Sequence, residues 1–107
     1  MNVPKQALLA AVLVIPTTIA AEVVEVKYTG LVDLLGYECA DTASSFVNRI
    51  CFSHEKLHLV VLLKSTYYAY CGVDPRIAQD WVTYGSKGVF YNLYVKGRFD
   101  CREQQLP

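Results

Sequence analysis

The stretch from Lys64 to Gly72 (KSTYYAYCG) constrains the fold more than any other part of the chain. It is an aromatic strand that enters from a tight polar turn and leaves towards Asp74-Pro75, a helix start. Side chains alternate along a strand, so Tyr68 and Tyr70 point to one face while Tyr67, Ala69 and Cys71 point to the other. The face that carries Tyr68 and Tyr70 must be covered. The upstream segments supply the strand's partners. Val47 to Phe52 reads as a first strand, Ser53 to Lys56 as a four-residue turn and Leu57 to Lys64 as a second strand, with Ser65-Thr66 returning the chain. In that register Ile50, Phe52, Leu57, Leu59, Val61, Leu63, Tyr68 and Tyr70 share a face. Val47, Arg49, Cys51, His58, Val60, Leu62, Lys64, Tyr67 and Cys71 form the other, a mixed surface open to partial cover by the preceding chain.

Asp74 at the N-cap and Pro75 at the first helical position begin a helix, because the carboxylate accepts a free amide and proline has none to lose. Ile77, Ala78, Trp81 and Val82 fall on one side at helical spacing, and Gly85 ends the run. Burying Ile77 and Trp81 against the sheet is worth on the order of 4 kcal/mol. Val89 to Phe99 fits two periods. As a helix it aligns Tyr91, Val95 and Phe99 with Lys96 and Arg98 outward; as a strand it has two apolar sides. A short second helix is the preferred reading. The expected class is α+β, a three-stranded antiparallel β-meander packed against one or two C-terminal helices.

Ahead of this lie two segments of different character. Residues 1–20 hold one positive charge at Lys5, the apolar run Ala7 to Ile15 and a small-residue end at Thr18 and Ala20, the layout of a secretory signal peptide cut after Ala20 or Ala21. The apolar run is too short to span a bilayer, which takes about 20 residues. Residues 21–43 read as an N-terminal extension with one strand near Glu22 to Tyr28, interrupted at Gly30 and lying against the domain. Residues 44–102 are the domain, and 103–107 a tail. Ten basic and ten acidic residues leave no net charge, where a protein living on phosphate contacts carries a basic excess.

Four cysteines, Cys39, Cys51, Cys71 and Cys101, all follow the expected signal peptide in sequence, and an even count in a small exported chain implies two disulfides. Successive cysteines are separated by 11, 19 and 29 residues, not by the close pairs of a zinc site. No metal or other cofactor is expected. Cys51 and Cys71 emerge on one face of the two outer strands, Cys51 opposite His58 and Cys71 opposite Val60, about 10 Å apart. A disulfide tolerates about 7 Å between Cα atoms, so these two should not pair. Cys39 with Cys51 and Cys71 with Cys101 is the favoured set; Cys39 with Cys71 and Cys51 with Cys101 stays close behind.

The Ser44-Ser45 lead-in, Tyr68-Ala69-Tyr70, Gly72-Val73 before the proline-started helix, Ser86 to Asn92 (SKGVFYN) and Val95 to Phe99 (VKGRF) resemble the KTSC domain. This is the small module at the C-terminus of some lysyl-tRNA synthetases that also stands alone in bacterial proteins. The resemblance runs from Ser44 to about Arg102 and implies a β-meander followed by helices, with no established activity and RNA binding suggested only from the company the module keeps. The signal peptide, the extension and the cysteines depart from the plain family pattern and give an exported, disulfide-bonded variant.

Tyr68 and Tyr70 have the spacing of a base-stacking platform, but as large aromatics in a small chain they are read as core beneath Trp81. His54 sits in a turn and His58 faces away from the Tyr68–Tyr70 side, without a carboxylate or cysteine pair at ligand spacing, so both are read as solvated or satisfied. Ser86 is expected to cap the second helix, Gly88 to allow close approach to the first, and Asn92 to be buried and hydrogen-bonded. No nucleophile, base and acid set is present in the sequence pattern, so the chain is not read as an enzyme. Tyr84, Lys87, Tyr94, Lys96, Arg98 and Arg102 are expected to form an exposed aromatic and basic patch. The functional expectation is a binding module for another protein in the periplasm or outside the cell. A nucleic-acid module is the main alternative, and a surface inhibitor or exclusion factor a weaker one.

Overall fold

A computed structural model of the protein describes residues 22–104, and the expected signal peptide lies outside them. The strands are β1 Val23–Val26, β2 Gly30–Asp33, β3 Glu38–Asp41, β4 Val47–Ser53, β5 His58–Leu63 and β6 Thr66–Cys71. The helices are α1 Pro75–Thr83, α2 Lys87–Phe90, which continues into a π-helical turn Tyr91–Val95, and α3 Cys101–Gln104. The class is α+β as expected. The sheet is larger than a three-stranded meander, with six strands in the order β2-β1-β6-β5-β4-β3. The meander β4-β5-β6 forms its middle, and the segment expected to give one strand gives three. β1 runs parallel to β6, paired through Val26 and Tyr67, with the Lys27 amide donating to the Tyr67 carbonyl at 2.9 Å. β3 pairs antiparallel with β4 at the opposite edge.

The faces of the meander follow the alternation, but the pairings move. Cys51 stands opposite Val60, and Cys71 opposite His58, the reverse of the expected partners. Both turns lie one residue from their expected places, the first at residues 54–57 and the second at Lys64-Ser65, so each pairing slips by two and the faces survive. The cause is turn chemistry. Leu57 (φ 51°) and Lys64 (φ 59°) take left-handed backbone, positions that usually announce themselves as Gly, Asn or Asp. Val47 is a second correction. A bulge between Val47 and Arg49 adds a residue to β4 and inverts its parity, turning Val47 to the helix side, where it is fully buried.

Two cores result. Between sheet and helices, Val47, Ile50, Phe52, Leu59, Val61 and Leu63 meet Ala78, Trp81, Phe90 and Val95, with Tyr68, Tyr70 and Ile77 partly buried around them. Val82, expected on the buried side of α1, is 38% exposed. Asp74 caps α1 as expected, its carboxylate accepting from the Arg76 amide at 2.8 Å. Trp81 stacks on Phe90 at 5.8 Å and its indole N–H donates to the Lys87 carbonyl at 3.0 Å, so its one polar atom is satisfied inside.

On the other face Cys51 and Val60 pack under Val24, Val26 and Leu34, with Val32, Tyr37 and Tyr67 around them. The extension is therefore a second cover for the sheet. Arg49 fastens it, donating to both carboxylate oxygens of Glu22 at 2.5 and 2.9 Å and to the Tyr67 hydroxyl at 3.1 Å. These partners hold the guanidinium firmly protonated. Disulfides join Cys39 to Cys51 and Cys71 to Cys101, the favoured set. Peptide mapping of the unreduced protein should return these two links, and a Cys51 to Cys71 link would break the strand order.

Trp81→Ala should lower stability by roughly 3–5 kcal/mol through the cavity it leaves. Denaturant unfolding measures this; an unchanged midpoint would remove Trp81 from the core.

Candidate functional site

The end of α1 and the π-helical turn form a cleft of about 540 Å³. Ile77 and Phe90 lie at its apolar side, Tyr84, Gly85 and Tyr94 frame it, and Asp80 and Thr83 are its polar members. Tyr84 meets Phe90 edge-on at 5.3 Å, and Phe90 lies 4.8 Å from Tyr94. The arrangement follows from local backbone. Ser86 accepts from the Val89 amide at 3.3 Å and starts α2, as expected of a cap. The helix then widens, with the Lys96 amide donating to the Tyr91 carbonyl five residues back at 2.8 Å. Such a π turn re-aims the side chains after it. Here Val95 goes into the core while Leu93 and Tyr94 stay 50% and 43% exposed.

The expected aromatic and basic patch is brought together only in part. Tyr84 and Tyr94 share the cleft, and the Lys87 ammonium donates to the Tyr84 carbonyl beside it. Lys96 and Arg98 are exposed beyond the π turn. Arg102 belongs to α3 and pairs with Asp100 at 2.8 Å, which holds that carboxyl below its usual range. Asn92 is exposed rather than buried, because the π turn rotates it outward. Gly88 faces Phe46, not α1; a Cβ there would lie 4.0 Å from the Phe46 ring. Tyr68 and Tyr70 pack against the helix-side core, and the Tyr70 and Tyr91 hydroxyls are hydrogen-bonded at 3.3 Å. Burial and that contact push the Tyr70 phenol far up.

A second cleft, about 420 Å³, opens on the extension side between Leu31, Asp33, Tyr37, Lys56, His58 and Cys71. His58 is half-buried and bonded at Nδ1 to the Tyr37 hydroxyl, 2.6 Å away. Burial first, and Lys56 second, hold its pKa below the ordinary value, while burial raises that of Tyr37. His54 is exposed and pairs with Glu38 at 2.9 Å. Donor atoms of His58, Cys71 and Cys101 lie within 4.8 Å of one another. Sequence spacing hid this group, since only the strand register puts His58 opposite Cys71.

The sequence profile of the KTSC domain matches residues 43–99. The chain belongs to the KTSC domain family. Its structure is similar to the crystal structure of a KTSC domain protein from Yersinia pestis, with a TM-score of 0.57 and 26% identity over 60% of this chain and 92% of that one. A comparison with curated proteins finds no match. The KTSC match begins ahead of β4 and ends ahead of α3, so β1 to β3 lie outside it. Each disulfide joins one cysteine inside the match, Cys51 or Cys71, to one outside it, Cys39 or Cys101. Among the described residues no helix is long and apolar enough to cross a membrane.

His58 gives the fold a pH dependence of known sign. Its pKa falls on folding from the ordinary 6.5, so the unfolded chain binds more protons and stability drops as pH falls below that value. The parent should lose more stability than His58→Gln between about pH 7.5 and about pH 5 in denaturant titrations; equal losses would place the imidazole in solvent.

Proposed function

We propose that the protein is a non-enzymatic binding module of the cell envelope that takes an apolar side chain or short segment of a partner protein into the cleft between α1 and the π-helical turn. The supporting observation is the aromatic cleft together with its surroundings. Tyr84 and Tyr94 stand 40% and 43% exposed and line the cleft together with Ile77 and Phe90. Solvent-facing tyrosines next to aliphatic groups combine large contact area with a hydroxyl that tolerates water, the composition of binding hot spots. Thr83 and Asp80 supply polar groups that orient an entering segment. The stacking surface that a nucleic-acid reading would use, Tyr68 and Tyr70, is packed against the core.

Export is the second half of the proposal. Its support is the short apolar run from Ala7 to Ile15 with its small-residue end, and a fold carrying two disulfides in 83 described residues. The mature chain would then begin at Ala21 or Glu22.

Capture with the mature protein from an envelope fraction, followed by titration of the recovered partner, tests the reading. Tyr84→Ala and Tyr94→Ala should each weaken the partner by about 10-fold or more while thermal unfolding stays near that of the parent. Equal affinity in both variants would discard the cleft. Binding of single-stranded RNA that weakens steeply with salt would replace a protein partner with a nucleic acid.

A further inference from the structure

We propose that the Cys71–Cys101 disulfide is one state of a redox-gated metal site, and that on reduction Cys71, Cys101 and His58 together bind a single zinc-class divalent ion. The site lies on the extension side of the sheet, away from the aromatic cleft, and does not depend on that cleft's role.

The geometry comes from the register. His58 on β5 stands directly opposite Cys71 on β6. The Cys71 amide donates to the Phe99 carbonyl at 2.9 Å rather than towards β5, so His58 and Cys71 form the non-hydrogen-bonded kind of cross-strand pair, in which side chains approach more closely. The same contact, with Phe99 at φ 59°, turns the chain back along β6 and delivers Cys101 to Cys71. The result is three donor atoms within 4.8 Å of one another. A tetrahedral ion with bonds of about 2.3 Å to sulfur and about 2.0 Å to nitrogen needs its donors roughly 3.5–3.8 Å apart. The main movement required is for the two sulfurs to part. Cys101 opens α3, a four-residue helix, so the moving side carries little of the fold.

Two thiolates and an imidazole are the soft donors that select zinc-class ions over calcium or magnesium. The surroundings fit as well. Tyr37 holds the imidazole through Nδ1 at 2.6 Å, the kind of outer contact that fixes a ligating histidine. The cleft of about 420 Å³ reaches both His58 and Cys71, giving an entry path and room for water as the fourth ligand. Among the described residues this is the one such group of three donors, and the Cys39–Cys51 disulfide is not part of it.

The chemistry balances without further partners than a dithiol. A dithiol reductant attacks the Cys71–Cys101 bond, passes through a mixed disulfide and leaves as its own disulfide, so that two electrons and two protons reach the pair. Both thiols release their protons to solvent as they take up the ion, and the imidazole binds neutral. A disulfide oxidant accepts the two electrons back, the sulfur–sulfur bond re-forms and the ion is released. The ion is thus held where dithiols keep cysteines reduced and lost where they do not.

The test uses the full chain, unreduced and reduced under anaerobic conditions, with cobalt(II) as the optical probe and zinc in competition. Reduced protein should take up one ion per chain and show thiolate-to-cobalt charge transfer with tetrahedral bands in the visible; unreduced protein should show neither. His58→Ala should lower zinc affinity by at least about 10-fold, the least that even an outer-shell group contributes. Cys39→Ser/Cys51→Ser should bind as the parent does. Circular dichroism follows the fold throughout. If the reduced chain unfolds, stoichiometric zinc should restore it, and failure to do so overturns the site. Absence of stoichiometric binding after reduction, binding indifferent to His58, or binding abolished by loss of Cys39 and Cys51 overturns it equally.

Discussion

The structure depends on a central strand that is apolar on both sides. Leu59 and Val61 of β5 face the helices and Val60 faces away, and all three are wholly buried. A helical layer on one side leaves the other wet, and a wet face of this composition forfeits much of what burial contributes, at about 25 cal/mol per Å² of apolar surface. The chain solves this by covering the meander twice. Trp81 and its neighbours close one face, and residues 24–37 fold under the other. The second cover is thin, which is why it is anchored at points. Arg49 grips Glu22 at one end, and the Cys39–Cys51 bond closes the other.

Much of the middle was legible because its rules are local. Alternation assigned the faces of the meander, Asp74-Pro75 started α1 where the helix begins, and the impossibility of a Cys51 to Cys71 bond followed from two strands lying outside a third. The parts that escaped depend on contacts distant in sequence. Nothing in residues 22–43 says that β1 will run parallel to β6 or that β3 will add to β4, since four-residue strands carry almost no period of their own. Leu57 and Lys64 concealed the turns by taking left-handed backbone without the residue types that usually mark it. The π turn likewise cannot be read from residues 91–95, and it is what exposes Asn92. Tyr84 and Tyr94 were therefore recognisable as surface aromatics, while of their true companions Ile77 was recognisable only as core and Phe90 was given no place.

The family match separates an inherited unit from its additions. Residues 43–99 contain the meander, α1, α2 and the aromatic cleft. The added strands take the sheet's two edges, and both edge strands, β2 and β3, are only four residues long. Short edges offer a poor template for pairing with another chain. Their exposed charges, Asp33 on β2 with Glu38 and Asp41 on β3, work in the same direction.

The parallel contact of β1 with β6 also sets an order of events. Val26 is made about forty residues before its partner Tyr67, and a chain emerging from its N-terminus has no β6 against which to lay β1. The β1–β2 hairpin has to wait, with Val24 and Val26 unburied, until the Tyr67 strand has followed it out. The meander, whose partners are adjacent in sequence, closes meanwhile over short loops. The last sheet contact to be made on this account is therefore also the slightest, a single residue pair and one further amide. A molecule that opens there, with the Arg49–Glu22 pair also released, frees its two N-terminal strands while the helix-side core remains shut.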